Sequence, residues 1–277
     1  MIDDYMIYFY TLLLFIFAFG IFFIPAYLKE KRRKKLFSEP VTEEFLSVLI
    51  QFVPLYKKLP DNLQKELIGH MNIFLDEKSF EGCVGLEIST SIKIVIAAQA
   101  CMLLLNRKTN YYPKLSVIYV YPDAFQSQQV TNEGGVETVE NIIRSGESWT
   151  NGPVVLSWNH TMHGANDIKD GQNVVFHEFA HQLDQEDGSN DGMPIHESTS
   201  QYIAFARMIE NKYDKLQKRI MNRKKTVMDP YGGTSKAEFF AVLTETFFEK
   251  PRQLKRKHPE LYDEVKDYYK LDPLSWK

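Results

Sequence analysis

Residues 174–184 read Val174-Val175-Phe176-His177-Glu178-Phe179-Ala180-His181-Gln182-Leu183-Asp184, and the fold is decided by what this segment must be. His177 and His181 are four apart, a spacing that stacks two imidazoles on one face of an α-helix within reach of a single ion. Val174, Val175, Phe176, Phe179 and Ala180 give that helix an apolar side to bury. Zinc suits two imidazoles, and Glu178, directly after the first, stands where a carboxylate reaches the attacking water without ligating the ion. Its role is then general base: it takes the water's proton and returns it to the leaving amine. One Zn2+ per chain and peptide-bond hydrolysis follow as expectations.

A catalytic zinc takes three protein ligands and keeps one position open. Downstream, Ala237-Glu238-Phe239-Phe240-Ala241-Val242-Leu243-Thr244-Glu245-Thr246-Phe247-Phe248-Glu249 is strongly apolar yet carries Glu238 and Glu245 seven apart, hence on one helical face. Carboxylates in such a helix need partners. One of them suits the ion and the other a histidine ring behind it, or both face solvent; spacing does not choose between these readings. A purely structural zinc is disfavoured, because this ligand set leaves a position open, unlike closed cysteine-rich sites.

Around the motif, periodicity predicts helices over 41–56, 61–77, 91–105, 197–225, 237–249 and 259–269, and strands over 85–88, 115–121, 137–144 and 153–158. The expected architecture is α+β, a small and mostly antiparallel sheet with packed helices. Cys83 and Cys101 are too few for a disulfide framework and read as buried small hydrophobes. Trp149 and Trp158 read as packing residues, and His160 and His163 as ordinary loop residues outside the site.

The amino-terminal end reads differently. From Tyr5 to Leu28 there is no charged residue, and the run Lys29-Glu30-Lys31-Arg32-Arg33-Lys34-Lys35 follows. That is the pattern of one transmembrane helix with a basic flank, and the positive-inside rule puts the amino terminus outside and the catalytic domain in the cytoplasm. The expected organisation is an anchor over 1–28, a basic juxtamembrane linker over 29–40 and a peptidase domain over 41–277. A net charge of −3 offers no global attraction to nucleic acid, so none is expected as a direct partner.

Three stretches taken together carry a resemblance: His177-Glu178-Phe179-Ala180-His181-Gln182-Leu183-Asp184, then Ala237-Glu238-Phe239-Phe240-Ala241-Val242, and Ser145-Gly146-Glu147-Ser148-Trp149 followed by Gly152-Pro153-Val154-Val155-Leu156. They resemble Mlc titration factor A, a family of zinc-dependent peptidases, in order and with compatible spacing over roughly residues 59–273. The resemblance implies a zincin-like fold of gluzincin type, Glu238 as third ligand in preference to Glu245, and Glu178 as base. It also matches Tyr231, in Asp229-Pro230-Tyr231-Gly232-Gly233, to a tyrosine near the family's active site, where a phenol stabilises an oxyanion. It further implies aminopeptidase activity on a peptide or protein substrate, and residues 152–158 as a sheet edge to which a peptide adds as a strand, a role that proline at Val154 or Val155 would abolish. Some members carry a further histidine near the metal where this chain has Thr138, so no fourth protein ligand is expected. A transcriptional regulator is the partner the resemblance suggests, and a membrane-tethered protein that sequesters such a regulator is the alternative function.

Overall fold

The computed structural model describes residues 2–133, 136–148 and 152–276, with backbone alone for parts of 2–22 and 126–148. The chain divides into two compact units, residues 1–40 and 41–277. The first is a single helix, α1 (Ile2–Phe37), with Pro25 inside it. Among the described residues no helix is long and apolar enough to cross a membrane, so the transmembrane helix expected over 1–28 finds no support there.

The second unit begins with α2 (Glu43–Phe52), α3 (Pro54–Lys58), α4 (Asp61–Glu77), β1 (Ser79–Gly82) and α5 (Thr90–Met102). The strands β2 (Val117–Tyr121), β3 (Phe125–Glu133), β4 (Val136–Arg144), β5 (Gly146–Ser148) and β6 (Val154–Ser157) follow. Six helices complete it: α6 (Trp158–Asn166), α7 (Val174–Asp184), α8 (Thr199–Met221), α9 (Lys236–Glu249), α10 (Pro251–Lys257) and α11 (Pro259–Tyr269). The helix expected over 41–56 is cut at Val53, because Pro54 lacks an N–H and clashes with a preceding helical turn.

The α+β class holds, but the sheet expectation is corrected. The four-stranded sheet has the order β1-β2-β6-β5, with β1/β2 and β2/β6 parallel and only β5/β6 antiparallel. A helix lies between β1 and β2 in the chain, and such a crossover returns a strand in the parallel sense. β3 and β4 form a separate antiparallel hairpin, so the strand expected over 137–144 does not join this sheet. The strand expected over 85–88 lies instead at β1, since Val84 and Gly85 both take positive φ and turn the chain back on itself. β6 is paired on both sides and fully buried. It is therefore no edge; among the described residues the free edge beside it belongs to β5.

α7 and α9 pack side by side at the centre. Phe176 stacks on Phe248 with ring centroids 4.9 Å apart, and Phe179 meets Tyr112 at 4.9 Å and Phe74 at 5.7 Å. Each fully buried ring of this kind is worth about 1.5–3 kcal/mol relative to exposure. The metal-motif helix is thus clamped along its apolar face, which fixes where its other face points. Cys101 is buried as expected, whereas Cys83 is only half-buried in the turn after β1, and Trp158 is half-buried at the start of α6. Trp149 lies outside the described residues, as does the side chain of Thr138.

Candidate metal and catalytic site

The site is built on two facing helices. Asn173 caps α7, its side-chain oxygen accepting from Phe176 N at 3.0 Å, which starts the helix one turn before His177. Ser235 caps α9 in the same way, accepting from Glu238 N at 3.1 Å. Ser235-Lys236-Ala237-Glu238 has the spacing of a capping box, whose acid ordinarily turns back to the cap. Here Glu238 turns across to α7 instead. Its Oε2 lies 2.9 Å from His177 Nε2 and 3.4 Å from His181 Nε2.

The two imidazoles are 4.9 Å apart between ring centroids. One ligand atom from each of His177, His181 and Glu238 lies within 4.8 Å of the others, so three donors converge on one point. Glu238 Oε2 is buried there without a hydrogen-bond partner among the described residues, and a buried orphaned carboxylate oxygen between two ring nitrogens is what a cation would satisfy. The donor set therefore fits a metal ion.

Glu245, two turns along α9 on the same face, does something else. Its Oε1 accepts from His177 Nδ1 at 2.8 Å and its Oε2 accepts from the backbone N–H of Asn173. It fixes the tautomer that leaves His177 Nε2 facing Glu238. His181 Nδ1 is buried with no hydrogen-bond partner among the described residues, where only the first histidine is held from behind in this way. Asn173 Nδ2 also donates to Gln99 Oε1 at 2.8 Å, to Gly164 O at 3.1 Å and to Glu249 Oε1 at 3.1 Å. The residue that caps α7 is thus a hub joining α5, α6, α7 and α9. Sequence reasoning did not single out Asn173; an N-cap signal could have found it, but not its ties to Glu245 and Glu249.

Electrostatics follow from these contacts. Burial pushes the Glu238 carboxyl up, but the His177 and His181 rings beside it prevail and hold it well below the usual range. Burial likewise pushes His177 down, and the carboxylates of Glu238 and Glu245 overcome it and raise the ring well above its ordinary value. A proton and a cation are alternatives on the same nitrogen, so acid competes with metal here. Burial, with Asp170 and Glu245 nearby, pushes Glu249 up to about 9, despite a hydrogen bond from Asn173.

Glu249 is therefore neutral in the fold but ionised in the unfolded chain at neutral pH. Because the folded value is raised, its contribution is fully present below the ordinary value of 4.5 and is lost as pH rises through about 9. We expect the Tm of wild type to fall more between pH 5 and pH 9 than that of Glu249→Gln, which cannot ionise; parallel Tm profiles would show that the acid is not buried as described.

Glu178 is buried at 5% exposure in the second turn of α7. Gly146, at the start of β5, is packed against it: a Cβ at that position would stand 2.5 Å from both Glu178 Oε1 and Val174 Cγ2. Only glycine leaves this carboxylate its place. Overpacking of this kind costs about 1–3 kcal/mol, and we expect Gly146→Ala to lower kcat about 100-fold by displacing Glu178 while metal content stays at the wild-type level. Unchanged kcat would mean that the carboxylate has room to move without consequence.

A cavity of about 850 Å3 opens over these groups, lined among others by Glu147, His160, His163, Glu178, Tyr231 and Glu238. Tyr231 sits in the turn Pro230–Gly233, half exposed, with its ring 6.0 Å from that of His177. His160 and His163 are corrected from loop to helix: both lie on α6 and line the cavity, His163 with Nε2 2.9 Å from Asp170 Oδ2 and His160 with Nδ1 2.8 Å from Ser157 Oγ.

The sequence profile of the glucose-regulated metallo-peptidase M90 family matches residues 28–270. The chain belongs to the M90 metallopeptidase family. Among its relatives, the uncharacterised protein slr2042 of Synechocystis is 40% identical over 245 residues, covering 88% of this chain and 89% of its own. Mlc titration factor A of Serratia proteamaculans is 28% identical over 233 residues, covering 80% and 86%. Mlc titration factor A of Escherichia coli O7:K1 is 28% identical over 232 residues, covering 80% and 84%. Membership makes a metal cofactor and hydrolytic chemistry the family context for this group of residues, and the resemblance read from the sequence is upheld.

Proposed function

We propose that the chain is a zinc-dependent peptidase of gluzincin type, in which His177, His181 and Glu238 hold one Zn2+, Glu178 is the general base and Tyr231 stabilises the oxyanion. The observation that carries this reading is the convergence of the three ligand atoms within 4.8 Å in a metallopeptidase family member. When bound, zinc supplies a Lewis acid that lowers the pKa of water and polarises a carbonyl. The remaining work belongs to side chains. Glu178, seated against Gly146, takes the proton of the attacking water and hands it to the leaving amine. The Tyr231 phenol donates a hydrogen bond to the oxygen that gains charge. Glu245 keeps His177 Nδ1 protonated and its ring in place.

Peptide binding is assigned to the free edge of β5, beside Glu178, rather than to β6. Exopeptidase action from the amino end is supported by the cavity lining, where Glu147 and Asp229 stand among the described residues and no Lys or Arg does. Such a cleft favours a free α-ammonium group.

The experiment uses the full chain purified in detergent. One bound zinc, together with hydrolysis of aminoacyl fluorogenic substrates and not of their N-acetylated forms, is the expected result. Zinc binding with cleavage of blocked peptides only would remove the aminopeptidase assignment, and a chain that binds no zinc would remove the whole reading. The second reading, a tethered protein that sequesters a transcriptional regulator, is favoured by the name of the Mlc titration factor A relatives. A regulatory phenotype that survives Glu178→Gln would select it.

We also place the body at a membrane. In α1 the side chains of Leu14, Phe15, Phe17, Ile21 and Ile24 are each more than half exposed, within a run that carries no charge. The apolar run and its basic flank support a single pass with the amino terminus outside and the catalytic body cytoplasmic. Protease added to intact cells should leave the body uncut; digestion there would invert the topology.

A further inference from the structure

The charges of the catalytic unit are unevenly placed. Residues 212–225 hold seven Lys or Arg against one acid, and residues 250–258 hold five against none, in a chain whose net charge is −3. The two stretches come near each other around His258. α8 packs against α11, and Lys212 Nζ reaches Glu260 Oε2 at 2.7 Å across that contact. His258, between α10 and α11, is pushed down in pKa by burial and then by the nearby charges of Lys212, Arg219, Lys215 and Lys257.

Acids answer only a few of these cations. Glu260 takes Lys212 and Asp263 takes Lys255. Lys215, Lys218, Arg223, Lys224 and Lys257 are exposed, and among the described residues no carboxylate lies within ion-pair reach of them. In the middle of the basic stretch, at the end of α8, Met221 stands 78% exposed. No exposed aromatic ring lies in residues 212–225 or 250–258 on which a base could stack: Tyr213 is half-buried, with its hydroxyl bonded to Gly233 O. Clustered cations around a protruding apolar side chain fit the headgroup region of a bilayer, where the charges meet lipid phosphates and the methionine enters the acyl boundary.

We propose that the face formed by the carboxyl-terminal half of α8 and by α10 docks on an anionic phospholipid surface. The proposal rests on the membrane placement above, and not on the peptidase reading. Tethering gives it force: a body held near a bilayer by a short linker meets the lipid surface at high effective concentration, so contacts too weak to recruit a free protein suffice. Docking by this face then sets which way the cleft opens relative to the membrane.

The test reconstitutes the full chain in nanodiscs of phosphatidylcholine alone, or with added phosphatidylserine, and follows amide hydrogen exchange. Peptides covering 212–225 and 250–258 should exchange several-fold more slowly on the phosphatidylserine discs, with the difference lost at high salt. The combined substitutions Lys215→Glu, Lys218→Glu, Lys224→Glu and Lys257→Glu should abolish that difference without altering the melt. Equal exchange on both discs overturns the proposal.

Should the chain fail to enter discs, the anchor reading falls separately, and sedimentation with vesicles decides the surface. Salt-sensitive binding to phosphatidylserine vesicles, weakened about fivefold per cation removed, supports the proposal; no preference over phosphatidylcholine overturns it. Protection by a short RNA in place of lipid overturns it as well.

Discussion

Glu178→Gln leaves the zinc content of the purified chain at the wild-type level and lowers kcat for peptide substrates by about a thousandfold, the middle of the range for a lost general base. Metal content stays because Glu178 is not among the converging donors, which are His177, His181 and Glu238. Glutamine fits the same space beside Gly146 and cannot accept the proton of the attacking water. KM changes little, since the lost interaction belongs to the transition state. Metal analysis and steady-state kinetics on one preparation check this. Activity within tenfold of wild type would take the base role from Glu178; loss of metal would mean that it shapes the ligand set.

Much of this site was legible because its spacing rules are local. Two histidines four positions apart share one face of a helix, and α7 spans Val174–Asp184 as the apolar flanks require. What spacing left open was the choice between Glu238 and Glu245, because both lie on one face of α9 and only the contact with α7 tells them apart. Gly146 was hidden for a related reason. Its importance comes from a non-local approach of β5 to α7, and nothing beside it in sequence signals that contact. The sheet was misread where its pairing is long-range. The four-residue strand β1 is largely exposed and lacks alternation, so its parallel partnership with β2 is set by tertiary contacts. The helix α6 was missed because the apolar run of β6 passes into it at Ser157, which caps the helix through His160 N.

Glu238→Ala is expected to abolish stable zinc binding, and Glu245→Ala to weaken it without abolishing it. Glu238 supplies the only carboxylate oxygen of the converging set, and two imidazoles alone leave a catalytic zinc short of its usual three protein ligands. Glu245 acts through His177. Its loss frees the ring to turn and removes the acceptor that fixes the tautomer, a kind of change that costs about 10–100-fold in metal affinity. Zinc affinity should therefore rank wild type above Glu245→Ala by that factor, and Glu245→Ala above Glu238→Ala. A competing chelator titration gives the order directly. Both carboxylates are largely buried, so unfolding could imitate lost affinity; melts of all three chains in excess chelator separate the two. If the variants melt with metal-free wild type and the order holds, the affinities report ligation. Should Glu245→Ala lose the metal while Glu238→Ala retains it, the roles of the two glutamates are exchanged, and the third ligand is the one that faces His177 Nδ1.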